Sequence, residues 1–198
     1  MIMIRLLSST ALSEAATLLK KGGVVIIPTD TVYGIAAHPA QQEAVARICT
    51  IKGRPTGKPI ALLASEPEAV ECFGARFPEV AKRLAARYWP GALTLVLPCG
   101  DGYEGFRVPA HEGARALIAA CGGVLRVTSA NLSGEMPATS AVSALKDVGL
   151  EADLVLDGGV SPGGVASTVV KVADDGKLTV LREGAIPSED ILNFEERN

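Results

Sequence analysis

Lys52, Arg54 and Lys58 place three cations within seven residues, on the segment Lys52-Gly53-Arg54-Pro55-Thr56-Gly57-Lys58-Pro59. Two glycines and two prolines keep that segment from continuing as a helix. Its composition suits a phosphate cradle, but it is not a Walker A loop: Pro59 stands where Ser or Thr would hold magnesium. A solvated charged loop would read the same way. Pro28-Thr29-Asp30-Thr31-Val32-Tyr33-Gly34 gathers three polar side chains and a phenol directly after the apolar run Val24 to Ile27. Ligands collect beyond strand ends in α/β folds, although local chemistry equally allows an Asx or Ser/Thr turn there. Val127-Thr128-Ser129-Ala130-Asn131-Leu132-Ser133-Gly134 offers hydroxyls and an amide to phosphate or ribose oxygens, or forms a plain turn before a helix. Gly158-Gly159, Gly163-Gly164 and Ser167-Thr168 make a glycine-dense approach to another apolar run, permitting close backbone contact with a ligand.

None of these four loops has dinucleotide G-x-G-x-x-G spacing, and no H-E-x-x-H pair occurs. The histidines, His38 and His111, stand apart from cysteines and from each other, as surface or structural residues do. Lys, Arg, Ser, Thr and Asn together fit a reaction run by positioning and charge neutralisation, as phosphoryl and nucleotidyl transfers are.

The elements that must carry these loops follow from periodicity. Leu12, Ala15, Ala16 and Leu19 recur at helical spacing before the stop Lys20-Lys21-Gly22-Gly23. Val24 to Ile27 reads as a buried strand, and Ala44, Val45, Ile48 and Ile51 give a helical face between Gln41 and Lys52. Ile60 to Leu63 reads as a strand, Ser65-Glu66-Pro67-Glu68 as a capping box opening a helix towards Phe73, and Pro78 to Tyr88 as the next helix. Leu93 to Leu97 and a short piece at Arg107-Val108 are strand-like, Ala114 to Cys121 helical, Val124 to Val127 strand-like and Ser140 to Lys146 helical. Leu154 to Leu156, Val165 to Val172 and Leu178 to Leu181 read as strands, and nothing helical is expected after them. The alternation predicts an α/β (α+β) layered fold on a mixed sheet.

With 198 residues, one core is the default. A net charge of -3 excludes a broad basic coat for nucleic acid while leaving room for a local basic cleft. Cys49, Cys72, Cys99 and Cys121 lie more than 20 residues apart, which indicates neither a zinc site nor a disulfide framework; they read as reduced, packed cysteines. Glu14 and the polar residues beside it spoil any signal-peptide stretch, and no apolar run approaches the ~18 residues that span a bilayer. The cytoplasm is therefore the expected location.

Taken in order, Pro28 to Gly34, Lys52-Gly53-Arg54-Pro55, Trp89-Pro90-Gly91 with Leu93 to Val96, Arg107-Val108-Pro109, Ser129 to Gly134 and Ser167-Thr168-Val169-Val170 resemble the threonylcarbamoyl-AMP synthase family, also called YrdC-like. The resemblance runs from about Ala11 to Ile186, leaving 1–10 and 187–198 as terminal extensions of a single catalytic domain. It implies an open, twisted mixed sheet flanked by helices around a basic cavity. It also implies an activity: L-threonine, bicarbonate and ATP with Mg2+ give threonylcarbamoyladenylate and pyrophosphate, the first step of forming N6-threonylcarbamoyladenosine in tRNA. No permanently bound cofactor and no protein-held metal are implied. The product would pass to a tRNA threonylcarbamoyl transferase, and no membrane is involved.

Carried over by motif position, Thr31, Arg107 and Ser167 look like threonine contacts, Arg54, Lys58, Ser129, Asn131 and Arg182 like ATP contacts, and Lys52 with Arg54 like the catalytic cations. For Arg107 the plain alternative is a surface ion pair with Glu104 or Glu112. Lys58 stands where the family often has Asn, Leu63 where His is frequent, and Ala166 where a Glu would be supplied. A double-stranded RNA or tRNA module using the same basic cavity is the second function the resemblance allows. The related domain of hydrogenase-maturation carbamoyltransferases belongs to far longer chains with zinc-finger segments.

Overall fold

A computed structural model describes residues 3–55 and 57–194. Thr56 of the cation loop, and residues 1–2 and 195–198 of the two expected extensions, lie outside the described residues. The chain builds β1 (Met3–Leu6), α1 (Ser9–Lys20), β2 (Val25–Ile27), β3 (Gly34–Ala37), α2 (Gln42–Lys52), β4 (Leu62–Ala64), α3 (Pro67–Cys72) and α4 (Glu79–Tyr88). It continues through β5 (Leu93–Cys99), β6 (Gly102–Arg107), α5 (Glu112–Ala120), β7 (Val124–Ser129), α6 (Ala141–Asp147), β8 (Leu154–Asp157), β9 (Thr168–Val172), β10 (Leu178–Arg182) and α7 (Ser188–Leu192).

The ten strands of the described residues join one mixed sheet in the order β1-β8-β2-β3-β7-β4-β6-β5-β9-β10. The β1/β8, β2/β8, β4/β6 and β5/β9 pairs are parallel and the rest antiparallel. The terminal segments pack on this body: β1 pairs with β8, and Ile191 of α7 is fully buried.

The period of two in a strand decides which face each side chain serves. Leu93, Leu95, Leu97 and Phe106 are fully buried in a cluster with α3 and α4, each stabilising the fold by about 1.5–3 kcal/mol. Their strand neighbours Thr94, Val96, Gly105 and Arg107 line a cavity instead. A second cluster lies against α2 and α6. On the cavity's side of the sheet, α1 and α5 pack against β2, β4, β7 and β8 and leave β6, β5 and β9 uncovered by their cluster. That uncovered half is the cavity floor.

Several local expectations need correction. Glu66, not Ser65, precedes α3 and makes no capping bond, and the Ser65 hydroxyl donates to the Gly123 carbonyl at 3.5 Å instead of capping the helix. The strand around Arg107 runs from Gly102, its polar outer residues having masked it, and β9 begins at Thr168 rather than Val165. The C-terminal region is not strand alone, since α7 follows β10. Gly100-Asp101-Gly102-Tyr103-Glu104-Gly105 has the literal dinucleotide spacing, but it is the β5–β6 hairpin, with Gly100 at φ 55 taking the turn. No helix begins there, so the spacing carries no phosphate site.

Candidate active site

Thr31, Lys52, Arg54, Lys58, Arg107, Ser129, Asn131, Ser167 and Arg182 all line one cavity of about 660 Å³. They come from six separate stretches of chain, and the sheet order brings them together: β3 lies beside β7, while β9 and β10 approach through β5.

At one end stands Arg107, only 6% exposed, at the last position of β6. Its Nε donates to the Gly91 carbonyl at 2.9 Å, Nη1 to the Thr31 hydroxyl at 2.8 Å and Nη2 to Asp30 Oδ1 at 2.6 Å. The surface pairing with Glu104 or Glu112 is thus not what forms: Glu104 pairs with Arg126, and the carboxylate at Arg107 is Asp30. Burial pulls the Arg107 pKa below its ordinary value, with Asp30 opposing that shift and Arg182 adding to it. A guanidinium has five N–H donors; with three engaged, one remains on each terminal nitrogen.

The neighbouring Thr29 hydroxyl has a fixed direction. Thr29 donates to the Val32 carbonyl at 2.6 Å and accepts from the Thr31 and Val32 amides. The Thr29 and Thr31 hydroxyl oxygens lie 3.1 Å apart. Thr31 Oγ1 accepts from Arg107, so one acceptor site is left on it. Spare donors on Arg107 beside a spare acceptor on Thr31 match the carboxylate and amine of an α-amino acid. Ser167 pairs with Thr94 at 2.8 Å and receives Arg182 Nη2 at 3.3 Å.

The glycine-dense stretch serves this end by touching protein rather than an open ligand space. Gly163 and Gly164 amides donate to the Asp30 and Thr31 carbonyls at 3.2 and 2.8 Å, and a Cβ on Gly163 would come within 2.7 Å of Asp30 O. Gly159-Val160-Ser161-Pro162-Gly163 has the literal spacing of a nucleophile elbow, yet Ser161 is buried and its hydroxyl donates to the Thr29 carbonyl at 2.9 Å. It braces the loop. His111 caps α5, its Nδ1 accepting from the Ala114 amide at 3.1 Å, and burial lowers its pKa against the pull of Asp30.

The other end is cationic. Lys52 is 2% exposed, and its Nζ donates to the Ser129 and Asn131 carbonyls, leaving one N–H. Burial first, and Arg54 second, push its pKa down to about 8. Arg54 Nη2 donates to the Pro59 carbonyl at 2.7 Å and Nε to the Lys58 carbonyl at 3.3 Å, while Lys58 itself is exposed. Arg182 Nη2 donates to the Ser167 carbonyl at 2.7 Å, and burial and then Arg54 lower its pKa. The Asn131 amide nitrogen ties the loop by donating to the Leu132 and Glu135 carbonyls at 2.8 Å each, and its Oδ1 is buried without a hydrogen-bond partner.

Sequence reasoning assigned no role to Asp30, Thr29 or Thr94. Asp30 and Thr29 sit inside a loop already singled out, and Thr94 is the polar exception within an apolar strand. Leu63 and Ala166, two of the departures from the family pattern, also line the cavity. Among the described residues no group of three or more His, Cys, Asp or Glu side chains could hold a metal ion, and no helix is long and apolar enough to cross a membrane.

The Sua5/YciO/YrdC family model, described as telomere recombination, matches residues 17–184. The chain belongs to this family. It is 39% identical over 191 residues to a threonylcarbamoyl-AMP synthase of Bacillus subtilis, covering 91% of this chain and 55% of that protein. Sua5 of Pyrococcus abyssi, solved in complex with L-threonine, superposes with a TM-score of 0.89 at 34% identity, covering 96% of this chain and 59% of that one. Escherichia coli YciO superposes at 0.86 with 25% identity and is covered over 99% of its length, against 96% of this chain. The chain thus spans about half the length of the first curated relatives, 55% in each case, while matching YciO end to end. As in these Sua5/YciO/YrdC structures, the fold is a mixed sheet flanked by helices.

Proposed function

We propose that this Sua5/YciO/YrdC-family chain is a threonylcarbamoyl-AMP synthase. The observation that carries the reading is the polarity of one cavity: an amino-acid-shaped set of spare bonds at Arg107 and Thr31, cations Lys52, Arg54 and Lys58 on another stretch of its lining, and Arg182 between them. The threonine amine captures bicarbonate as a carbamate with loss of water. A carbamate oxygen then attacks the α-phosphorus of ATP, the bond to the β-phosphate oxygen breaks, and pyrophosphate leaves with magnesium. Arg107 orients the threonine carboxylate, Thr31 and Ser167 flank it, and Arg54, Lys58, Ser129, Asn131 and Arg182 hold the nucleotide. Lys52 and Arg54 offset the charge that builds on the departing phosphates. A reaction of this kind needs no protein nucleophile.

In this reading ATP is a co-substrate that brings its own Mg2+, the acid anhydride product goes to a tRNA threonylcarbamoyl transferase, and the reaction takes place in the cytoplasm. Purified protein given ATP, magnesium and bicarbonate should release pyrophosphate only when threonine is added. Steeply salt-dependent binding of double-stranded RNA, with no threonine-dependent pyrophosphate, would replace the enzyme by an RNA-binding module.

A further inference from the structure

The cation loop is strapped to the sheet at both ends by one stretch of chain. At its entry, Lys52 donates to the Ser129 and Asn131 carbonyls, and the Ser133 amide returns a bond to the Lys52 carbonyl at 2.9 Å. At its exit, Arg126 of β7 donates through Nη1 to the Ile60 carbonyl at 2.7 Å and pairs with Glu104 of β6. Arg126 and Glu104 are 21% and 25% exposed, so this pair is shielded from solvent far more than an exposed ion pair such as Arg76 with Asp174 at 58% and 62%. Neither residue lines the cavity.

Consecutive carbonyls connect the exit to the chemistry. Pro59 O receives Arg54 Nη2, and the next carbonyl, Ile60 O, receives Arg126. A shift of the 59–60 backbone therefore moves the anchor of the Arg54 guanidinium directly. Among the described residues, the hydrogen bonds of Arg54 go to Pro59 O and, through Nε, to Lys58 O, both within its own loop. The geometry points to Arg126, held in line by Glu104, as a positioning residue for Arg54. Resting on the proposed use of the loop for ATP, it sets nucleotide affinity without touching the nucleotide. Glu104 orients the guanidinium and keeps its charge paired in a partly buried place, where an unpaired cation would turn towards solvent and release Ile60.

A purely structural ion pair would lower stability and weaken both substrates together, which separates the alternatives. In ligand-free Arg126→Gln, amide exchange should accelerate at residues 57–62 while β9 amides keep their protection. ATP affinity measured by calorimetry should fall about tenfold, the equivalent of one charge-assisted bond of about 1.4 kcal/mol, with threonine affinity unchanged. Glu104→Gln should show the same pattern more weakly, and Arg126→Lys should recover part of the loss. In an Arg54→Ala background, Arg126→Gln should cost no further ATP affinity, because the residue through which it acts is gone. Unchanged exchange at 57–62, additive losses in the double variant, or equal losses for threonine would overturn the assignment. If the wild-type chain binds no ATP, the function reading fails, and exchange at 57–62 alone decides whether Arg126 holds the loop.

Discussion

Arg107 and Arg54 are two cations in one cavity, built on opposite terms. Arg107 is bonded to Gly91, Thr31 and Asp30, which belong to two different loops, and is 6% exposed. Arg54 is half-buried and, among the described residues, bonds to the carbonyls of Lys58 and Pro59 of its own loop. The first arrangement fixes a guanidinium before any ligand arrives, so it can select by geometry. The second leaves a cation free to follow a flexible polyanion, with its backbone held only at the ends. Under the proposed function, small, rigid threonine and a long, variable triphosphate call for those two different solutions.

The contrast is broken most severely at the cationic end. Arg54→Ala or Lys52→Ala should lower threonine-dependent pyrophosphate release by about 10²-fold or more, since each removes a cation from a partly dehydrated site. The two should differ in how they do it. Arg54→Ala should leave the thermal midpoint nearly unchanged, whereas Lys52→Ala also strands the Ser129 and Asn131 carbonyls and should lower it. Near-normal turnover in both, with native circular dichroism, removes this loop from the mechanism.

Arg107→Lys sharpens the comparison at the rigid end. The charge stays near Asp30, but the planar fork and its two spare N–H groups are lost. Threonine should bind more weakly by about 1–3 kcal/mol, and ATP far less so. Separate calorimetric titrations of the two ligands check this. Equal losses for both would mean that Arg107 supports the cavity as a whole instead of clamping a carboxylate.

These two ends were not equally legible in the sequence. The cations could be read from composition alone, because two glycines and two prolines beside Lys52, Arg54 and Lys58 already exclude a helix. Arg107's partner could not: Glu104 and Glu112 are near in sequence, but alternation turns Glu104 to the opposite face of β6, and the carboxylate that pairs lies 77 positions away. Long helices and apolar strands were readable through their period. β3, the segment Gly34–Ala37, was not, since two alanines and a glycine carry no strand signal until β7 pairs with them. α7 was invisible for a similar reason: five residues give too short a period, and tertiary contacts hold them, the burial of Ile191 and the Tyr88 hydroxyl donating to the Asp190 carbonyl at 3.3 Å among them.

The smallest expected effect is one of pH, and it again falls on the cationic end. Lys52 titrates at about 8 in the free protein because its burial disfavours the charged form. Phosphate bound beside Nζ favours that form and raises the pKa in the complex. Below pH 8 the lysine is charged with or without ligand, so ATP affinity should be flat there. Above it, binding must take up a proton, and affinity should fall by up to about tenfold per pH unit. Calorimetry near pH 9, in buffers of different ionisation enthalpy, should report close to one proton taken up per ATP; threonine binding, governed by Arg107, should report none from Lys52. Folding has the opposite slope. An unfolded lysine keeps the ordinary value of 10.5, so between about 8 and 10.5 the unfolded chain binds the extra proton and Lys52's contribution to stability rises with pH. ATP affinity that stays constant from pH 7 to 9.5, or falls only in step with threonine affinity, would show that Lys52 does not face the phosphates and serves the loop alone.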